Sequence, residues 1–278
     1  MVKKQTLLTS FSLGLSLLAF GCGENTDGGA DNTNNESTGS GTISLVANGE
    51  DFVRQGFVAK DGWRIDFDHV YVTLSDVKAY QSDPAFNPDE DEEIKATQEV
   101  TLVSEPMTLD LAKGGENADL ISVTEKSGAA GAYNAIEWKV ISPEAGETNS
   151  AIVLQGTAQK DGETIDFTLN LDRQLAYKCG EYVGDVRKGF LEPDSKTQLE
   201  TTFHFDHIFG DAEAPMDDAI NRGAVGFEPM AELASNGTLN ADLNTLQQEL
   251  SDQEYQTLEK AIKSLGHVGE GHCEETAT

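Results

Sequence analysis

The chain has 278 residues and a mass of 29.9 kDa, enough for one large domain or two small ones. With 38% hydrophobic and 24% charged residues it has the composition of a globular chain and is too polar for several membrane spans. Asp and Glu number 49 against 19 Lys and Arg, a net charge of −30; such a surface repels phosphate backbones and anionic headgroups and attracts cations.

Lys3 and Lys4 precede an apolar run over residues 7–20. The run is too short for a comfortable span and suits a secretory signal. It ends in Leu18-Ala19-Phe20-Gly21-Cys22, a small residue directly before a cysteine. This ending resembles the signal of bacterial lipoproteins, with Ala19 where that family usually has Leu. The resemblance implies removal of residues 1–21 and lipidation of Cys22. Gly23, where an Asp would retain the protein at the inner membrane, implies the outer membrane of a Gram-negative envelope. An ordinary signal peptide with a chance cysteine is the alternative. Residues 1–21 hold two lysines and no acid, so their loss takes the charge from −30 to −32. Residues 22–41 hold no large apolar side chain beyond Cys22 and are rich in Gly, Asn, Ser and Thr, which predicts a flexible tether.

Residues 42–210 predict a mainly β domain, an antiparallel β-sandwich of Ig-like or similar type. Val70, Val72 and Leu74 alternate, as do Ile136, Trp138 and Val140. Ile165, Phe167, Leu169 and Leu171 alternate after Asp161-Gly162, a strong hairpin turn signal. Residues 60–67 (KDGWRIDF) match residues 160–167 (KDGETIDF) at six of eight positions. Convergence on one turn-plus-strand solution explains this, and duplication of a half-sandwich is the alternative. The acidic run at residues 87–93 lacks the glycine and spacing of an EF-hand and reads as a solvated loop. Leu109-Asp110-Leu111-Ala112-Lys113-Gly114 and Ala130-Gly131-Ala132-Tyr133 ahead of a strand give a cadence similar to β-sandwich lipoproteins of bacterial envelopes. That resemblance covers about residues 42–175 and implies a sandwich, with no activity and no site residue.

Residues 211–278 predict a helical segment packed on the sandwich. Leu243, Leu246 and Leu250 recur at helical spacing. Ser251-Asp252-Gln253-Glu254 is a capping box ahead of an apolar face of Tyr255, Leu258, Ile262 and Leu265, with Gly266 as the stop. With Cys22 assigned to lipid, Cys179 and Cys273 remain. In an oxidising exported compartment they are expected to form a disulfide, with thiolate metal ligands or free thiols as the alternatives.

Histidine carries the functional signal. Four of the five His form two tight pairs, His204 with His207 and His267 with His272. Imidazole binds zinc and copper, and a carboxylate completes or orients such a site. The candidate metal ligands are therefore His204, Asp206, His207, His267, Glu270 and His272, holding Zn²⁺ or Cu²⁺. If residues 202–206 form a strand, His204 and Asp206 share a face, and His207 joins them only where the strand ends or bulges. Separate hydrogen bonds at strand and helix ends are the alternative role for these His. His69 is a possible extra ligand only. No HExxH, GxSxG, Walker A or GxGxxG occurs, and Ser75-Asp76-Val77-Lys78 matches SxxK in isolation. The function expected is metal capture, storage or delivery by an envelope lipoprotein. Its partners would be the ion, the membrane through lipid alone, and an envelope protein; nucleic acid is not among them. An interaction module without metal and a metal-dependent hydrolase are the competing readings, and no enzyme is expected.

Overall fold

Alternating apolar residues make the strands, and turns rich in Gly and Asp separate them. The computed structural model describes residues 39–90, 93–144, 146, 148–180, 188–269 and 271–276. The signal segment, Cys22 and the tether as far as residue 38 lie outside the described residues. In chain order the elements are β1 (Ser40–Asn48), α1 (Glu50–Gln55), β2 (Phe57–Val58), β3 (Arg64–Ser82), β4 (Ala96–Val103), β5 (Met107–Asp110), β6 (Ile121–Ala129), β7 (Gly131–Ala132) and β8 (Ala135–Val140). There follow β9 (Ile152–Lys160), β10 (Glu163–Leu171), β11 (Leu175–Cys179), β12 (Phe190–Leu191), β13 (Lys196–Phe203), α2 (Asp206–Phe209), α3 (Ala219–Gly223) and α4 (Glu228–Ala231). The chain closes with β14 (Thr238–Asp242), α5 (Leu243–Glu249), α6 (Asp252–Lys263), β15 (Gly266–Val268) and β16 (Gly271–Thr276).

The protein is mainly β, and its strands form one curled path, β14-β10-β9-β3-β8-β11-β16-β15-β13-β1-β6. The 19-residue β3 also carries β2, β4 and β5. Among the described residues most pairings are antiparallel, but two are parallel, β1 with β13 and β10 with β14. A purely antiparallel arrangement therefore does not hold. In both cases a long excursion of chain, including helices or other strands, returns the later strand in the same direction.

Strand β1 begins at Ser40, inside the stretch read as tether. The glycines there serve close packing rather than freedom: a Cβ on Gly39 would press on Pro193, and one on Gly41 would meet Leu191 and the Ser195 carbonyl at 2.6 Å. The C-terminal segment is likewise no mere helical cover, because β14, β15 and β16 are part of the sheet.

The two matching octapeptides flank β9. Ile65 and Ile165 both stand opposite Ala158, and Phe67 and Phe167 both stand opposite Gly156. The two Phe rings meet edge to face, 6.0 Å apart. Gly156 is required because a Cβ there would overlap the Asp66 carbonyl. Phe67 also touches Phe205 and Phe209 at 6.4 and 6.2 Å, and Phe209 meets Phe57 and Phe227 at 6.1 Å each. This aromatic cluster fixes the chain segment that follows β13.

Helix α6 starts at the predicted capping box: Ser251 Oγ accepts from Glu254 N, and Glu254 Oε2 accepts from Ser251 N at 2.9 Å. Leu258 and Ile262 are buried. The stop differs from expectation. The cap is Ser264, and Gly266 already belongs to β15, where a Cβ would press on the Tyr177 ring at 2.7 Å. Ser251→Ala should lower stability by about 1 kcal/mol, measured by thermal unfolding. The Ser251 hydroxyl and N–H hold the Glu254 carboxyl below its ordinary range. A depressed carboxyl stabilises above its unfolded-state value and loses that contribution as pH falls through its folded value. Glu254→Gln should therefore remove part of the acid sensitivity; an unchanged stability–pH curve would contradict this.

Cys179 and Cys273 are directly paired across β11 and β16 and form a disulfide, with Cα atoms 4.3 Å apart and a sequence separation of 94. The expected bridge thus clamps the last strand onto the body.

Candidate metal centre

The strand expected over residues 202–206 ends at Phe203. His204 N donates to the Leu265 carbonyl at 3.0 Å, and the chain then turns into α2. His207 N donates to the His204 carbonyl at 3.2 Å. Residues three apart on such a turn face the same way, so His204 and His207 share one side of it. Phe205, Ile208 and Phe209 of the same segment are fully buried and root it in the aromatic cluster. Gly210 closes the turn at φ 72°, a left-handed conformation that glycine adopts without strain.

The third histidine comes from β15. It pairs antiparallel with β13, Thr202 opposite His267 and Phe203 opposite Gly266. Gly269, at φ 55°, donates its N–H to Thr202 Oγ1 at 3.0 Å and fixes the chain just after His267. The His204 and His267 rings stack with centroids 4.1 Å apart. His207 stands at 5.1 Å from His267, edge on, and 5.7 Å from His204. One ring nitrogen from each of the three lies within 4.8 Å of the others. A tetrahedral zinc site with Zn–N bonds near 2.0–2.1 Å needs nitrogens about 3.3 Å apart.

Two carboxylates flank His204. Asp206 Oδ1 is 4.0 Å from Nδ1, and Glu50 Oε1 is 3.8 Å from Nε2. His204 Nε2 and Asp206 Oδ1 are buried and make no hydrogen bond with any described residue. Burial pushes the Asp206 carboxyl above its ordinary range, and the neighbouring His207 and His204 oppose that shift. An ion bound at His204 Nε2 would give that buried atom the partner it lacks.

Outer contacts set the tautomer of His207. The Ser264 hydroxyl donates to the Ala261 carbonyl at 3.1 Å, so its oxygen accepts from His207 Nδ1–H at 2.9 Å. Nε2 of His207 then carries the lone pair that can face an ion.

Of the sequence candidates, His204, His207 and His267 come together and Asp206 adjoins them. His272 lies directly across from His267 in the β15–β16 register, although its side chain lies outside the described residues. Glu270 also lies outside them. His69 is bound elsewhere: its Nδ1 is 2.8 Å from Asp110 Oδ2, and its ring stacks on Tyr71 at 5.1 Å. The sequence echo around it is not structural, since His69 is in a strand and His207 in a helical turn. Ser75 is buried, and Lys78 pairs with Glu99 at 3.4 Å.

Sequence reasoning missed Glu50 and Ser264. Strands β1 and β13 are parallel with Asn48 opposite Thr202, so Glu50 and His204 each lie two residues past the same edge. Glu50 sits at φ 60°, a conformation seldom adopted by non-glycine residues, and its N–H donates to Asn48 Oδ1 at 2.9 Å. Asn48 in turn donates to Glu200 at 2.9 Å. The Asn48-Gly49 turn signal at the end of a strand was the only local cue.

No protein family matches the chain, and no curated protein or solved structure gives a significant match.

Proposed function

We propose that this chain is a cell-envelope lipoprotein that holds a zinc or copper ion for capture, storage or delivery. His204, His207 and His267 are its ligands, and Glu50 or Asp206 supplies the carboxylate. The observation that carries this reading is the convergence of three imidazoles, from the turn after β13, from α2 and from β15, with ring nitrogens within 4.8 Å of one another. A set of neutral imidazoles with one carboxylate suits Zn²⁺ or Cu²⁺ better than calcium or magnesium, which take oxygen ligands. The −30 charge concentrates cations near the site. The envelope location rests on Lys3, Lys4, the apolar residues 7–20 and Cys22. No helix among the described residues is long and apolar enough to cross a membrane.

We also read the curled sheet as a sandwich, in which β1 and β13 face the β3–β9–β10 layer. In support, Leu45 and Phe203 share one core with Val72, Leu154 and Leu169.

Elemental analysis of the full chain, purified without a histidine tag, tests the metal reading. About one zinc or copper per chain, removable by a chelator, is the expected result. Absence of metal, with no uptake on adding either ion, would sink it. A second reading, a metal-assisted hydrolase, is favoured by one feature: three imidazoles beside a carboxylate match the ligand count of catalytic zinc. Ester hydrolysis lost with Glu50→Gln or Asp206→Asn while zinc is retained would favour it over simple binding.

A further inference from the structure

A cleft of about 690 Å³ lies between α3 and α6, with His207 and Ser264 in its lining. That volume falls within the roughly 300–1,000 Å³ of small-molecule sites. One of the three metal-facing histidines thus also borders a cavity large enough for an organic ligand.

The charge of the cleft runs against that of the protein. Arg222 lines it from α3 and Lys260 from α6. Several basic groups among the described residues are paired, Arg64 with Asp66, Lys139 with Asp76, Lys196 with Glu125. Arg222 and Lys260 make no side-chain hydrogen bond or ion pair with any described residue, in a chain holding 49 acids and 19 Lys and Arg. The cleft's acid, Asp218, is engaged at the start of α3, where Oδ1 accepts from Ile220 N at 3.1 Å. Ala219, Ile220 and Ala261 supply apolar wall. Two unengaged cations over an apolar wall form a recognition surface for an anion with a hydrocarbon body, and a guanidinium suits a carboxylate in particular.

We propose that this cleft binds a small organic carboxylate on Arg222 and Lys260, with its hydrocarbon body on the apolar wall and one oxygen donor turned toward the metal ion beside His207. The ion's share rests on the metal reading above; the two cations' share does not. In so acidic a protein a free carboxylate is repelled from most of the surface, so this local pair would decide where it settles.

Equilibrium dialysis of radiolabelled glutarate against the full chain tests this, with metal-free protein, zinc-loaded protein and the Arg222→Ala/Lys260→Ala double variant. The dication 1,5-diaminopentane, of equal length, serves as the opposite-charge probe. Glutarate should bind the parent protein, more tightly with zinc, and the double variant should lose at least about tenfold while keeping its zinc. Both residues are exposed, so the variant should keep its unfolding midpoint, measured on the same samples. Glutarate binding that survives the double substitution, or diaminopentane held in place of glutarate, would overturn the proposal. Zinc taken up with no glutarate bound overturns the cleft and leaves the metal reading standing. Glutarate bound through Arg222 and Lys260 with no zinc uptake supports the cleft and removes the metal reading.

Discussion

His204→Ala and His207→Ala should each weaken zinc binding by more than about 100-fold, since even groups that only orient a ligand are worth 10–100-fold. The pair is informative because the two side chains have different surroundings. His204 stacks on His267 and lies between two carboxylates, whereas His207 is half-buried and turned to the cleft. Ser264→Ala should cost about tenfold by freeing the His207 ring to flip or change tautomer. Acid should release the ion, because each ligand must be neutral to bind it, and the release should take up protons. Competition titration against a zinc indicator measures all of these. Unchanged affinity in both His variants, with the fold intact by circular dichroism, would remove the site.

The second large effect is on stability. Cutting the Cys179–Cys273 link by reduction, or by Cys179→Ser/Cys273→Ser, should cost about 4 kcal/mol for a loop of 94 residues. In a unit of this size that corresponds to a fall of roughly 10 °C in the unfolding midpoint. The site should respond as well. Strand β16 is joined to β11 at Cys273 and to β15 at the His267–His272 register. Loosening β16 frees β15, and His267 is the proposed ligand that β15 carries. Reduction should therefore weaken zinc binding as well as lower the midpoint, and zinc should restore part of the lost stability. A reduced protein that melts at the oxidised temperature would show that the link does not hold the fold.

What could be read from sequence was local. The α6 start was legible because Ser251 and Glu254 satisfy each other's backbone within one turn. The turn at Asp161-Gly162 was legible because both residues adopt positive φ, 51° and 88°. His204 and His207 were legible as a pair through spacing alone, and His267 through its position after a helix. Long-range pairing was not legible. The parallel match of β1 with β13 joins segments about 150 residues apart, and nothing in either strand specifies its neighbour's direction. Glu50 went unseen for that reason, and so did the incorporation of β14 beside β10. Gly266 was misread because a glycine after a helix suits a cap, whereas here the nearby Tyr177 ring excludes a side chain.

The placement of β1 has a mechanical consequence. The strand is bonded along both edges, to β6 over Ser40–Ala47 and to β13 over Thr42–Asn48. A pull on the chain ahead of Gly39, directed along the strand, loads these two rows of hydrogen bonds in shear. They must yield together rather than open one after another, as they would at a free edge. Whatever tension reaches the body ahead of Gly39 therefore meets a strand laced along both edges, and the His204–His207 turn beyond the far end of that strand stays in register under the load.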